Sequence, residues 1–423
     1  IRIEDSSLAQ RKACIHTMAL IVQKYGGTSV GDLQRIRNVA ANVARLYADG
    51  NDVVVVLSAM AGVTDQLLTL AAEISHHPSR RELDVLLATG EQTTVALLSM
   101  TLESMGYPAR SLLGYQAEIV TDHDFGQARI VQINADRLKA YLSQRKIVAV
   151  AGFQGRDTSG NITTLGRGGS DTSAVALAAA LGADACEIYT DVDGVYTTDP
   201  NICEKARKLD KISYDEMLEM ASLGAKVLQI RSVEFAKKFS VPIHVRSAFN
   251  LKEEGTMVVE EDTDMERLVV SGVTYSKDEA RITITKVPDK PGVASQILTP
   301  IGDAGIVVDM IIQNTRKGGL TDVTFTVPKS HYEEALAIEQ DVARRIGANQ
   351  VYGDKNIAKV SIVGVGMRSH AGVAAKTFTA LAQENINIIM ISTSEIKISC
   401  VIEEKYTELA VRVLHQALGL EQG

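Results

Sequence analysis

The chain has 423 residues, enough for two to four domains at roughly 150 residues each. Its 45% hydrophobic and 23% charged residues are ordinary for a soluble globular protein, and no uninterrupted apolar run reaches the roughly 18 residues of a membrane span. A net charge of -8 argues against nucleic acid as the main partner, and four cysteines without CxxC spacing argue against a zinc site or a disulfide framework.

Residues 1–17 lack the apolar core of a signal peptide and precede Met18, which opens a strand, so they read as a leader outside the fold. A short strand at 20–22 runs into KYGGTSVGD. Residues 33–48 follow with Ile36, Val39, Val43, Leu46 and Tyr47 on one helical face. The apolar run 52–58 is a buried parallel strand ending in SAMAGVTD, and a helical stretch then leads to LLATGE. Residues 147–151 form another buried strand. The chain is organised around 163–200, where the glycine run GRGGSD opens an Ala/Leu helix at 173–181, a strand follows at 187–190, and the polar loop DVDGVYTTDP closes the stretch. Strands near 242–245 and 257–259 carry this part to about 265. The strand, loop, helix order predicts an α/β sandwich whose ligand loops lie at the C-terminal ends of the strands.

Beyond 265 the texture changes. Residues 291–311 (PGVASQILTPIGDAGIVVDMI) align without gaps onto 371–391 (AGVAAKTFTALAQENINIIMI), an internal repeat of period 80. Each copy reads strand, helix, strand, strand, helix, in the first at 281–287, 293–304, 308–313, 322–327 and 332–346. The second copy runs out near Leu418 without a last strand. An upstream strand at 268–275 is free to complete one of the sheets, so the modules at 266–350 and 351–423 are expected to interleave.

KYGGTSV places Lys24 before a double glycine at a strand-to-helix junction, where backbone amides can approach a phosphate and the lysine can neutralise a transferring group. It is not a P-loop, because GxxxxGK[ST] is absent. GRGGSD is a second anion cradle. It adds Arg167, suited to bidentate capture of a carboxylate, and Asp171, placed either to orient the lysine or to hold Mg2+ through water. Ser58, Thr64 and Glu91 are expected at or just beyond strand and helix ends, and a Glu after Gly is commonly a helix cap. None of the eight histidines stands in a HExxH or triad context. Phosphoryl transfer to a carboxylate accounts for that, since the nucleophile is already ionised at neutral pH and needs no general base.

Taken in order, KYGGTSV, SAMAGVTD, LLATGE, TTLGRGGSD, YTDVDGVYTTDP and GAKVLQ, followed by two modules carrying DKPGVA, QN, TD and NINIIMISTSE, resemble the aspartate kinase family over essentially all of 18–423. The resemblance implies a monofunctional enzyme with an amino acid kinase (carbamate kinase-like) three-layer sandwich over 18–265, followed by two ferredoxin-like ACT modules. It implies ATP with Mg2+, L-aspartate as acceptor, and a cytoplasmic, homo-oligomeric protein, possible partners including a separate ACT-only chain but neither nucleic acid nor membrane. Lys24 and Asp171 would be catalytic. Arg167 would hold the aspartate α-carboxylate, with Ser58, Thr64, Glu91, Gly168 and Ser170 around the rest and Glu91 on the ammonium. Lys24, Gly26, Gly27, Ser29, Thr190, Asp191, Tyr196, Lys226 and Val227 match nucleotide positions, while Asn201 stands where many relatives carry Arg. Asp289, Gly292, Ala294 and Gln313, with Asn387, Ile388, Thr393 and Ser394, match end-product effector positions, implying feedback inhibition by lysine, threonine or both. The competing readings are a relative using another acceptor, such as acetylglutamate, glutamate or UMP, and an amino-acid-sensing regulatory protein with an inactive kinase half.

Overall fold

Runs of buried β-branched residues become the central strands, and the amphipathic stretches between them become the covering helices. A computed structural model describes residues 18–224, 227–261, 269–316, 318–368 and 370–422. Residues 1–17, expected to be a leader, and Lys226 lie outside the described residues. The chain divides into two compact units, Ile1–Asp193 with Glu234–Met257 and Gly194–Val233 with Val258–Gly423.

The first unit contains β1 Leu20–Tyr25, α1 Leu33–Ala48, β2 Asp52–Leu57, α2 Val63–Ile74, α3 Arg80–Ser104 and β3 Ala109–Leu112. It continues through β4 Ile119–Thr121, β5 Ile130–Ile133, α4 Asp136–Leu142, β6 Ile147–Ala151, β7 Gln154–Arg156, β8 Ile162–Thr164, α5 Gly169–Leu181 and β9 Ala185–Thr190. β10 Lys211–Ser213 and α6 Tyr214–Ser222 belong to the second unit, α7 Ile230–Phe239 and β12 Thr256–Val259 cross the division, and β11 Ile243–Ser247 returns to the first unit's sheet. The strands lie in the order β11-β9-β1-β2-β6-β3, and every neighbouring pair is parallel. One face carries Val53, Val55, Leu57 and Ala149 against apolar residues of α1 and α3. The other is covered by α5, buried on nearly every side because its Ala-rich sequence lets it sit close to the strands. A smaller sheet, β5-β4-β7-β8, leads into the glycine run.

Among the described residues α3 is long and apolar enough to cross a membrane by length and composition, contrary to the sequence expectation, which counted only uninterrupted apolar residues. Half of it is buried inside the fold, where Asp84 binds Thr164 and Glu91 binds Ala59.

The second unit holds β13 Gly272–Pro288, α8 Val293–Asp303, β14 Ile311–Arg316, β15 Leu320–Val327, α9 Tyr332–Ile346 and β16 Gln350–Val363. The remaining elements are α10 Val373–Gln383, β17 Ile388–Thr393, β18 Lys397–Glu403 and α11 Thr407–Ala417. They form one sheet in the order β14-β15-β13-β16-β18-β17. The long strands β13 and β16 pair antiparallel along both halves, Gly272–Tyr275 opposite Val360–Val363 and Arg281–Thr285 opposite Gln350–Asp354, with bulges between. Separate apolar cores lie under α8 and α9 and under α10 and α11. Within this unit, Thr197 bonds Val273 and the buried His415 of α11.

Candidate functional site

The C-terminal ends of β1 and β2 and the N-terminal end of α5 enclose a cavity of about 330 Å³ lined by Lys24, Gly27, Ser58, Thr64, Glu91, Arg167, Gly168, Ser170 and Asp171, with Phe153 also in the wall. β1 alternates, so Lys24 faces α5 while its neighbours Gln23 and Tyr25 face α1. Lys24 Nζ stands 2.6 Å from Asp171 Oδ1, both side chains only 11% exposed. This is a desolvated ion pair, stronger and better fixed than a surface one.

Glycine lets the cavity walls approach. A Cβ on Gly27 would come within 2.9 Å of the Ala59 carbonyl oxygen, and one on Gly90 would stand 2.7 Å from the Ala59 Cβ. Gly90 is thus not a helix stop, and Glu91 is not a cap: it lies in the middle of α3, because the missing side chain lets that helix pass close to the loop after β2. Glu91 Oε1 accepts the Ala59 N–H at 3.1 Å, while Oε2 has no hydrogen-bond partner. Burial pushes its carboxyl up to about 7, tempered by the Ala59 N–H.

Gly168 takes the left-handed conformation at φ 71° as the N-cap of α5, which therefore starts at Gly169, earlier than the Ala/Leu pattern indicates. Asp84 pins the approach to this turn, accepting from Thr164 N and Oγ1 at 2.7 Å each and from Gly126 N at 3.0 Å. Arg167 is exposed and makes no ion pair among the described residues, so its guanidinium is available to an anion.

The residues expected at the nucleotide are spread along the chain. Gly26 and Ser29 flank Gly27, Ser29 Oγ being buried without a hydrogen-bond partner. Thr190 ends β9 and bonds Asp191 at 3.0 Å. Tyr196 makes a bridge with Lys208, and Val227 is half-buried. Asn201 turns back on Asp199 through its N–H and its Nδ2. In the second unit, Asp289, Gly292, Ala294, Gln313, Asn387, Thr393 and Ser394 are exposed and Ile388 half-buried. Gln313 lies on β14 and Ile388 and Thr393 on β17, the two edges of the sheet, with Asn387 and Ser394 flanking β17, Asp289 just after β13 and Gly292 and Ala294 at the start of α8. A small apolar cluster nevertheless joins these edges, with Met310, Ile357, Met390 and Val401 buried and Ile312 and Ile389 packed against them.

Residues 19–247 match the amino acid kinase family, and residues 281–344 and 360–418 each match the ACT domain. The aspartate kinase of Stutzerimonas stutzeri A1501 is 58% identical over 405 residues, covering 96% of this chain and 98% of that one. The chain belongs to the aspartate kinase family. The aspartokinase of Pseudomonas aeruginosa PAO1 is likewise 58% identical, over 406 residues. Among solved structures, the aspartate kinase of Synechocystis is similar at 45% identity with a TM-score of 0.54, over 95% of this chain and 70% of that one. Escherichia coli aspartokinase III in complex with aspartate and ADP is similar at 25% identity with a TM-score of 0.79, over 94% and 99%. In this aspartate kinase family member, sequence reasoning missed one polar group, the buried layer of Gln23, Glu187 and Arg246 behind β1. Its signals were polar residues inside strand-forming runs, Gln23 in LIVQKY, Glu187 in ACEIYT and Arg246 in IHVRS.

Proposed function

We propose that the chain transfers the γ-phosphoryl group of MgATP to the side-chain carboxylate of L-aspartate, giving ADP and 4-phospho-L-aspartate. It acts as a cytoplasmic homo-oligomer at the first step of lysine, threonine and methionine biosynthesis, and lysine, threonine or both inhibit it at the ACT pair. The observation that carries the reading is the buried Lys24–Asp171 pair in a cavity that also presents Arg167 and Glu91. Arg167 holds the α-carboxylate in a fork of two hydrogen bonds and Glu91 receives the ammonium, leaving the side-chain carboxylate free to attack. That carboxylate is already an anion, so the protein's part is alignment and charge neutralisation by Lys24, which Asp171 holds in place. Ser58, Thr64, Gly168 and Ser170 complete the acceptor pocket. Gly26, Gly27, Ser29, Thr190, Asp191, Tyr196, Lys226 and Val227 hold the nucleotide. Mg2+ arrives on the phosphates as part of the substrate.

The test is ADP release from MgATP with L-aspartate, glutamate, acetylglutamate or UMP, each with lysine, threonine and both. Turnover with aspartate alone, suppressed by an end product, is expected. Lys24→Ala should lower kcat by about 10³-fold with the fold intact. Turnover with another acceptor, or undiminished kcat in that variant, would overturn the assignment.

A further inference from the structure

Behind Lys24, on the α1 face of the sheet, three strands carry a polar layer in register. Gln23 lies beside Glu187 and Glu187 beside His244, and one step on, Tyr25 lies beside Tyr189 and Tyr189 beside Arg246. Glu187 is 7% exposed and Gln23 is 1% exposed. Gln23 Nε2 donates to Glu187 Oε2 at 2.7 Å and the Tyr189 hydroxyl donates to the same oxygen at 3.0 Å. Arg246 Nη1 meets Glu187 Oε1 at 3.2 Å, with His244 Nδ1 4.0 Å from that oxygen. Tyr25 donates to Gln23 Oε1 at 3.2 Å and receives Asn42 Nδ2 of α1 at 2.7 Å. The Tyr25 and Tyr189 rings stack 4.6 Å apart.

Stability does not explain this layer. On the same face the neighbouring strands carry Val53, Val55, Leu57, Ala149 and Ala151, all buried, and aliphatic residues of matched volume generally serve a core as well as a buried ion pair or better. Within the sheet, the polar residues of the layer lie on β1, β9 and β11, which carry Lys24 between Gln23 and Tyr25, Thr190 directly after Tyr189, and Ser247 directly after Arg246. Apolar contacts tolerate small slips between strands. Hydrogen bonds to a shared carboxylate fix distance and direction, because each weakens steeply with misalignment.

We propose that Glu187, with Gln23 and Arg246, is a positioning layer that sets where Lys24 stands relative to Thr190, and hence how a phosphate held at the ends of β1 and β9 meets the lysine. The proposal rests on the reading of Lys24 and Thr190 given above. Glu187 acts through these residues, not on substrate. Gln23→Leu and Glu187→Gln keep volume while removing, respectively, the shared donor and the charge paired with Arg246. Steady-state kinetics with each substrate varied, alongside melting temperature, should show kcat/KM for MgATP down about tenfold, chiefly in kcat and beyond any loss of folded fraction, with KM for aspartate nearly unchanged; melting temperature should fall more for Glu187→Gln, which leaves Arg246 without its carboxylate, than for Gln23→Leu. Tyr25→Phe, which deletes one hydroxyl and keeps the stacked ring, decides the matter if both variants fail to fold, with about a threefold loss in the same parameter expected. Variants that keep kcat and the MgATP dependence within twofold, or that lose activity only in proportion to their folded fraction, would overturn the layer's role. Absence of aspartate turnover in the unmodified chain would instead overturn the functional reading beneath it.

Discussion

Glu91 combines a buried carboxylate, one unpartnered oxygen and a carboxyl pushed up to about 7. Between the ordinary value of 4.5 and about 7 the folded chain holds a proton that the unfolded chain has released, so this group weakens the fold as the pH rises through that window. An ammonium docking against it supplies the missing partner and favours the anion. Ionised Glu91 is the binding form, and at pH 6 only about one-tenth of it is ionised, so KM for aspartate should be about tenfold higher at pH 6 than at pH 8. Glu91→Gln should show a raised KM that no longer depends on pH in this range. A flat profile in the unmodified chain would detach Glu91 from the ammonium. The cavity's polar residues were legible because glycine runs and charged residues at strand-to-helix junctions stand out from an apolar background. Glu91's place in the middle of a helix was not, because a glycine that breaks a helix and one that lets it pass close to a loop look alike until the loop is seen.

At the scale of elements, those that packing fixes through a long periodic pattern are the ones the sequence announces. α1 and α9 run over the expected residues, as does β6. The short strands β4, β5, β7 and β8 carry too few residues for any period, and only their mutual pairing makes them strands. β13 was split in the reading because Ser276–Ala280 is polar and turn-like, yet its backbone continues through bulges opposite β16. α9 also carries a residue its pattern does not account for. Glu339 lies on its core face, fully buried, with neither carboxylate oxygen hydrogen-bonded. Burial pushes its carboxyl up to about 8, opposed by Arg345. The folded chain therefore keeps a proton that the unfolded chain loses above about 4.5, and the resulting penalty grows as the pH rises toward 8, reaching on the order of 2–4 kcal/mol. Glu339→Gln removes that titration. Its melting temperature should exceed that of the unmodified chain by several degrees at pH 8 and by little at pH 5, and an equal gain at both would show that charge burial is not the cause.

For the whole molecule, the repeat was legible as a period in the sequence, but what it builds was not. The two copies share the strands β13 and β16, and the edges β14 and β17 meet again through Met310 and Met390. Beside that junction lies Lys359, 4% exposed, 2.8 Å from Glu279 Oε1 and also paired with Asp309. Asp309 directly precedes Met310 on the approach to β14, so a single buried lysine of β16 ties the segment of the first copy proposed to bind effector to a strand shared with the second. Burying the Lys359–Glu279 pair does not maximise stability, since desolvation offsets most of the attraction, while Asp309 reaches the lysine from an exposed position. The triad's directional contacts restrict how one half of the sheet can shift against the other. Lys359→Met alone strands the buried Glu279 and should cost about 3–5 kcal/mol, whereas Lys359→Met with Glu279→Gln removes both charges and should recover most of that loss. If the triad transmits effector binding between the copies, the double variant will keep near-normal kcat and melting temperature while its inhibition by lysine or threonine weakens several-fold. Inhibition curves that superimpose on those of the unmodified chain would reduce the triad to packing, leaving the Met310–Met390 cluster and the shared strands β13 and β16 as the physical links between the two edges proposed to bind effector.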